Sequence, residues 1–268
     1  MIIQSELNPT RIALSGQCFR WEETAPGTFR VPFRDKCLII ETQGSGAEVK
    51  NPAAEDAVWH EYLDLDTDYA AIRERIDAGE DPFLHEACCF QQGIRILKQD
   101  PWEALISFII SQNRNIPAIK RSISILCDLA GEERKDLRGE SFMTFPTAGA
   151  IAAMSDEELD RCRLGYRKDY IRLTAEAAVS GELNLDEMAT FDDGKLMGQL
   201  ISLKGVGPKV ASCVMLYGFH RINAFPVDVW VKRILKDKYP GGYPFEKYAP
   251  YNGIYQQYMF AFYREENT

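Results

Sequence analysis

Two glycines and a proline, set between two stretches of helical periodicity, constrain this chain more than any other feature. Residues 203–211 read Leu-Lys-Gly-Val-Gly-Pro-Lys-Val-Ala. The periodic stretch 195–202 ends there. Pro208 then opens a second helix at its first position, where a missing N–H is harmless. Gly205 and Gly207 are read as the residues that permit a tight turn through unusual φ angles. The turn leaves unpaired N–H groups at a helix N-terminus, backed by the positive end of the helix dipole, which makes a site for phosphate. A plain connector between two helices needs the same glycines, so the turn alone leaves both readings open.

Charge argues against a phosphate partner at first. The 268 residues carry 31 Lys plus Arg against 40 Asp plus Glu, a net charge of −9, whereas nucleic-acid-binding domains are usually basic. The distribution removes the objection. Residues 41–86 hold 13 acids and three bases, while residues 201–240 hold seven bases and two acids. With a Debye length of about 8 Å at physiological salt, an acidic face is screened from a basic one. Net charge alone therefore does not exclude a nucleic acid, and any such binding is expected to be weak and salt-sensitive, resting on few phosphates. Hydrophobic residues at 46% and charged residues at 26% exclude global disorder. The apolar runs 104–110 and 210–219 fall short of the about 20 residues that span a bilayer. The start, Met1-Ile2-Ile3-Gln4-Ser5-Glu6, has no basic segment or cleavage signature, so a cytoplasmic location is expected. Seven Cys without framework spacing fit free thiols. His60, His85 and His220 are scattered, so no zinc pattern exists, and no Walker-type phosphate loop is present.

The pattern predicts an α+β fold, with an N-terminal antiparallel β-sheet followed by a mostly helical body. Arg11–Leu14, Cys18–Trp21, Thr28–Pro32 and Cys37–Thr42 read as strands, separated by Ser15-Gly16, Ala25-Pro26-Gly27 and Gly44-Ser45-Gly46. From Ala53 the period becomes helical: Trp59, Tyr62 and Leu63 share one face, and Tyr69, Ile72, Arg73 and Ile76 another. Asp100 as N-cap and Pro101 at the first position open a helix over 102–112. Further helices are expected over 116–130, 156–161, 168–180, 195–202, 208–217, 229–238 and 251–264. Residues 137–146 and 181–193 read as connections. The expected division is residues 1–85, the sheet with a following helical segment, and 86–268, the helical region with the hairpin at 200–216.

Nineteen residues after Lys209 stands Asp228, within Phe225-Pro226-Val227-Asp228-Val229-Trp230. A Leu-x-Gly-Val-Gly-x-Lys-x-Ala hairpin with a downstream Pro-Val-Asp resembles the helix-hairpin-helix DNA glycosylase superfamily. Ser15-Gly16-Gln17-Cys18-Phe19-Arg20-Trp21, residues 106–113 (Ile-Ser-Phe-Ile-Ile-Ser-Gln-Asn) and Leu164-Gly165-Tyr166-Arg167 narrow the resemblance to 8-oxoguanine DNA glycosylases, in a short prokaryote-like form. Phe90-Gln91-Gln92-Gly93 and Gln99-Asp100-Pro101 extend it over most of the chain.

The resemblance implies a bifunctional enzyme acting as a monomer on double-stranded DNA that contains 8-oxoguanine. Lys209 would attack C1′ and form a Schiff base, which permits β-elimination of the 3′ phosphate. An ordinary Lys amine, with pKa about 10.4, is neutral in roughly one molecule in 2,500 at pH 7, so such a nucleophile needs burial or nearby positive potential. Position 209 falls in the first turn of a helix, where the dipole supplies that potential. Asp228 sits where it can N-cap the helix 229–238, and the resemblance adds stabilisation of the developing sugar cation and proton transfer.

The damaged base must leave the duplex to be cut. Cys213, four residues after Lys209 and on its face, is implied to pack one side of the extruded base; a small core thiol is the plain alternative. Gln256 and Phe260 repeat the i, i+4 relation about 100° from the core stripe Tyr255, Met259, Phe262. The resemblance makes them the reader of the Watson–Crick edge and the stacking partner, with Pro226 lining the same pocket. It gives Gly16 a carbonyl that accepts from N7–H, the proton that 8-oxoguanine carries and guanine lacks. For DNA contact it implies the N–H groups of Gly205, Gly207 and Val210, with Asn113 and Arg167 filling the gap and touching the orphaned cytosine, and Tyr166 as a wedge. A solvated salt bridge is the plain alternative for Arg167.

The chain departs from animal members of the family at a second Arg beside the cytosine. That position reads Ala118, which implies looser opposite-base discrimination. Trp230 stands where those enzymes carry a phosphate-contacting His. No cofactor is implied; a cation held by hairpin carbonyls is compatible with the turn, although no residue marks one. Rival readings are a non-catalytic hairpin module that only binds DNA, or a superfamily glycosylase with another damaged-base preference. The iron–sulfur branch is excluded because no Cys follows Cys213. The branch acting on alkylated bases generally lacks a Lys at 209.

Overall fold

The computed structural model describes residues 2–3, 6–44 and 46–267. The chain begins with β1 (Ile2–Ile3) and α1 (Pro9–Leu14), followed by β2 (Glu22–Ala25), β3 (Thr28–Phe33), β4 (Lys36–Gln43) and β5 (Gly46–Lys50). The strands form one antiparallel sheet in the order β1-β5-β4-β3-β2. Val31 stands opposite Leu38, and the period of two turns Phe29, Val31 and Phe33 inward. Helix α2 (Asp56–Tyr62) closes this core with Trp59 and Tyr62, whose rings lie 6.1 and 4.6 Å from that of Phe33.

The α+β order stands, but some expected strands do not. Arg11–Leu14 belongs to helix α1. The Asn8 side chain caps it, accepting from Arg11 N at 3.0 Å, and Pro9 occupies the first turn. That Asn-Pro pair outweighs the β-forming side chains after it. Cys18–Trp21 pairs with no strand. Side chains hold this segment instead: Gln17 accepts from Leu97 N at 2.9 Å and donates to Arg95 O at 2.9 Å. Of the turn Gly44-Ser45-Gly46, Ser45 lies outside the described residues, and Gly46 already begins β5, a strand the sequence reading lacked.

The helical body comprises α3 (Tyr69–Glu74), α4 (Pro82–Phe90), α5 (Pro101–Ser111), α6 (Ile116–Ala130), a hairpin of β6 (Glu133–Lys135) and β7 (Ser141–Met143), α7 (Ala148–Ala152), α8 (Asp156–Arg161), α9 (Arg167–Ser180), α10 (Leu185–Met188), α11 (Asp193–Ser202), α12 (Pro208–Tyr217), α13 (Val229–Lys238), α14 (Phe245–Tyr248) and α15 (Asn252–Glu266). Strand β7 and helix α10 arise within stretches read as connections. Helix α4 was legible in Asp81-Pro82, because Asp81 caps it as Asp100 caps α5. Every side chain of α5 from Ala104 to Ser111 is buried, so this helix forms the axis of the body. The two cores part near Leu65: Tyr69, Ile72, Ile76 and Leu84 already lie in the helical one.

A buried polar knot ties the two cores together. Asp64 accepts from Tyr69 Oη at 2.8 Å and pairs with Lys98 at 3.1 Å and His220 at 3.3 Å. Burial pushes the Asp64 carboxyl up, but hydrogen bonds from His220, Tyr69 and Thr67 outweigh it and hold it at about 2. A carboxyl depressed below its ordinary 3.8 contributes stability that is complete above pH 3.8 and lost as pH falls through about 2. Asp64→Asn is therefore expected to cost about 2 kcal/mol at pH 7. Urea unfolding at several pH values should show a shallower loss of stability on acidification for the variant. An unchanged acid limb would show that the knot does not supply this term.

Candidate active site

One cavity gathers side chains from segments far apart in the chain. It is lined by Ser15 and Gly16 after α1, Phe108 of α5, Lys209, Cys213 and Tyr217 of α12, Pro226 and Asp228 before α13, and Gln256 and Phe260 of α15. Every residue expected to catalyse or to bind the base is here. Ser15, Phe108 and Tyr217 were not foreseen. Tyr217 continues the 209, 213 spacing by one more turn and could have been found that way; Phe108 carries no such signal.

Lys209 lies in the first turn of α12, with Nζ 5.5 Å from the centroid of the Phe108 ring. That ring stacks on Tyr217 at 5.4 Å and 18°. Cys213 is buried, and burial pushes its thiol up while the Lys209 charge opposes the shift. The thiol therefore presents a neutral, polarisable surface. Asp228 caps α13: Oδ1 accepts from Trp230 N at 2.9 Å and Val231 N at 2.8 Å. Those two bonds aim the carboxylate into the cavity occupied by Lys209.

The opposite wall carries the polar groups that could read a base. Gln256 is buried, and its Oε1 is shut from solvent without a hydrogen-bond partner. A buried amide oxygen without a partner is costly unless something supplies a donor. Gly16 has φ +79, a conformation that favours glycine. Its neighbours are pinned: Gln257 Nε2 donates to Ser15 O at 2.9 Å, and Arg264 Nη2 to Leu14 O at 2.6 Å. Tyr217 Oη donates to Gln257 Oε1, which connects this wall to α12.

The cavity is narrow in this structure. Its volume is about 50 Å³, room for a few waters at about 10–15 Å³ each but not for a purine. The Phe260 ring lies over Gly16, with Cε1 3.5 Å from where a Cβ on that glycine would stand. Phe260 is only half-buried, whereas Gln256 and Cys213 are buried. A base fits only if the lining moves apart, and the Phe260 ring is its least buried aromatic.

The hairpin joins α11 to α12. Gly205 has φ +84, and a Cβ there would stand 2.2 Å from Cδ2 of Tyr170, so no other residue fits. Gly207 corrects the expectation of an unusual φ at both glycines: its φ of −93 and ψ of 177 are ordinary extended backbone. The missing side chain serves a different purpose. Nothing lies within 4 Å of its Cβ position, so a phosphate has a clear approach to the helix N-terminus. No side chain caps this helix, and among the described residues nothing accepts from the N–H groups of Gly207, Lys209 and Val210. The Val210 side chain is buried, which leaves only its backbone for contact.

The expected wedge residues meet at the end of α5. Asn113, with φ +51, donates through Nδ2 to Tyr166 Oη at 3.1 Å. Tyr166 is 50% exposed. Arg167 stacks on it with Cζ 4.3 Å from the ring centroid. Arg167 is not a solvated salt bridge: it is buried, donating to Leu164 O at 3.1 Å and to Gln112 O. Tyr166 also meets Tyr170 edge-on at 5.8 Å, the ring that lies against Gly205. Tyr166 and the hairpin therefore share one support. Among the described residues no group of His, Cys, Asp and Glu could hold a metal ion, and no helix is long and apolar enough to cross a membrane.

A sheet-first α+β fold with a Gly-Val-Gly-Pro hairpin feeding a pocket Lys opposite an Asp defines a helix-hairpin-helix base-excision glycosylase. Comparison with known proteins agrees. The N-terminal domain of 8-oxoguanine DNA glycosylase matches residues 1–105, and the HhH-GPD superfamily of base excision DNA repair proteins matches residues 106–241. The chain belongs to the 8-oxoguanine DNA glycosylase family. It is 32% identical over 255 residues to a probable N-glycosylase/DNA lyase of Methanothermobacter thermautotrophicus, covering 82% of this chain and 78% of that protein. It is 33% identical over 264 residues to the N-glycosylase/DNA lyase of Saccharomyces cerevisiae, covering 89% and 70%. Among solved structures, the Clostridium acetobutylicum 8-oxoguanine glycosylase/lyase, in complex with double-stranded DNA containing cytosine opposite 8-oxoguanine, superimposes with a TM-score of 0.91 at 33% identity, covering 100% of this chain and 99% of that one.

Proposed function

We propose that this enzyme, a DNA glycosylase with lyase activity, extrudes 8-oxoguanine from duplex DNA and excises it through a Schiff base on Lys209. The observation that carries the reading is the pocket itself, where Lys209, Asp228, the partnerless Gln256 Oε1 and the pinned Gly16 backbone line one narrow cavity. A cation-forming centre needs the first two, and an oxidised purine needs the last two. Gln256 Oε1 accepts from the N1–H and N2–H edge that 8-oxoguanine shares with guanine. The Gly16 carbonyl accepts from N7–H, which guanine lacks, so guanine would leave that acceptor unpaired at a cost.

In the reaction the neutral amine of Lys209 forms a bond to C1′ as the C1′–N9 bond breaks, and the base departs with the bonding pair. Asp228 faces the positive charge that develops on the sugar. Opening of the sugar ring gives the iminium on Nζ. Loss of a C2′ proton then expels the 3′ phosphate, which cleaves the strand. None of these steps needs an oxidant or a metal.

The test is incubation with a duplex bearing one 8-oxoguanine, followed by borohydride. Reduction of the iminium should trap a covalent protein–DNA complex, with free 8-oxoguanine released. Binding without base release would leave only a DNA-binding module. Release without trapping would remove the Schiff base.

A further inference from the structure

Two arginines lie at the end of α5, and the family resemblance assigns a role to only one: Arg167 donates to Gln112 O, two residues before Arg114. Arg114 follows Asn113, and its Nη1 donates to Ser122 Oγ at 2.8 Å. Ser122 lies one turn beyond Ala118 on the same face of α6. The Arg114 side chain therefore runs along the strip of helix where Ala118 offers only a methyl group. Burial, and after it the positive charge of Arg167, pushes the Arg114 guanidinium below its ordinary value. Among the described residues neither arginine has a carboxylate within ion-pairing distance, unlike Arg20, Arg30, Arg73 and Arg172, which do. Arg167 Nε is shut from solvent and has no acceptor. Two guanidinium groups without carboxylate partners, one of them with a buried donor left over, form an arrangement that folding alone does not favour. It becomes favourable when a group rich in acceptors arrives.

The base stranded opposite an extruded nucleotide is such a group. The Watson–Crick edge of cytosine presents two adjacent acceptors, N3 and O2. Adenine offers one acceptor beside a donor, and guanine and thymine each place an N–H donor at the ring position. A pair of guanidinium donors therefore prefers cytosine.

We propose that Arg114 is a specificity-determining residue that, together with Arg167, reads the base opposite the extruded one and favours cytosine. The role expected to be missing because of Ala118 is thus filled from position 114. This rests on the excision reading above, and the experiment separates the two. Single-turnover release of 8-oxoguanine is measured from duplexes with C, A, G or T opposite, for wild type, Arg114→Ala, Arg114→Lys and the exposed control Arg121→Ala. Wild type and control should release from the C duplex at least about tenfold faster than from the A duplex, the lower range for one bidentate base contact. Arg114→Ala should bring that ratio close to one by slowing the C duplex alone. Arg114→Lys keeps the charge and the reach to Ser122 but loses the planar fork, and should give the same collapse. A wild-type ratio near one, a ratio unchanged in Arg114→Ala, or full rescue by Arg114→Lys would overturn the proposal. Absence of release from every duplex by wild type would overturn the excision reading instead.

Discussion

Lys209→Gln is expected to abolish borohydride trapping and strand cleavage, with base release slowed roughly 10⁴-fold or more, the scale of losing a positioned nucleophile. The expectation follows from where the side chain lies. Nζ stands 5.5 Å from the Phe108 ring centroid, in a cavity shared with Asp228, and among the described lining residues no other amine can replace it. Affinity should behave differently. The proposed phosphate site consists of backbone N–H groups at the start of α12, which Gln at 209 leaves in place. Dissociation constants for a duplex with 8-oxoguanine should therefore change only a few-fold, because the loss falls on the chemical step. Gel shift and single-turnover assays on one preparation separate the two. Retained trapping in Lys209→Gln would assign the nucleophile elsewhere, and a large loss of affinity would place Lys209 among the phosphate contacts.

Asp228→Asn is the second expectation. Oδ1 of Asp228 caps α13 through Trp230 N and Val231 N, and in the proposed mechanism the same carboxylate faces the site of reaction. Asparagine caps helices about as well as aspartate, so the fold should keep its stability. The charge is lost, and single-turnover excision should fall about 10²–10³-fold, the range for removing one positioned electrostatic group. Asp228→Ala should show the same kinetic loss and an additional destabilisation of about 1 kcal/mol from the missing cap. Thermal unfolding and excision rates measured on both variants distinguish the roles. If Asp228→Asn excised at the wild-type rate, the carboxylate would be a cap alone.

Much of this architecture is local and so was legible in the chain. Asp100-Pro101 and Gly207-Pro208 mark helix starts because a cap and a proline act within one turn, and α5 and α12 begin where those signals stand. The periodicities over 229–238 and 208–217 match α13 and α12. The same local logic failed where two signals competed. Around Arg11–Leu14 β-forming side chains suggested a strand, while Asn8 and Pro9 imposed a helix. At Gly207 the residue type suggested strain, whereas the backbone is extended and the glycine serves access instead.

The sequence by itself determined the parts list: a hairpin with a Lys at its helix start, an Asp that caps the next helix, a Gln and a Phe one turn apart, and a glycine able to take a positive φ. Only the tertiary structure decided that Gly16, Lys209, Asp228 and Gln256 meet in one cavity, that Phe260 lies over Gly16, and that Tyr170 supports both the hairpin and Tyr166. It also decided that Arg114 reaches along the face of Ala118 to Ser122 and that Arg167 bonds the backbone of Gln112 two residues before it. The physical reason is range. Caps, turns and periodicity act within a few residues and leave their mark in the order of the chain, whereas the meeting of α1, α5, α12 and α15 is set by which buried faces pack together.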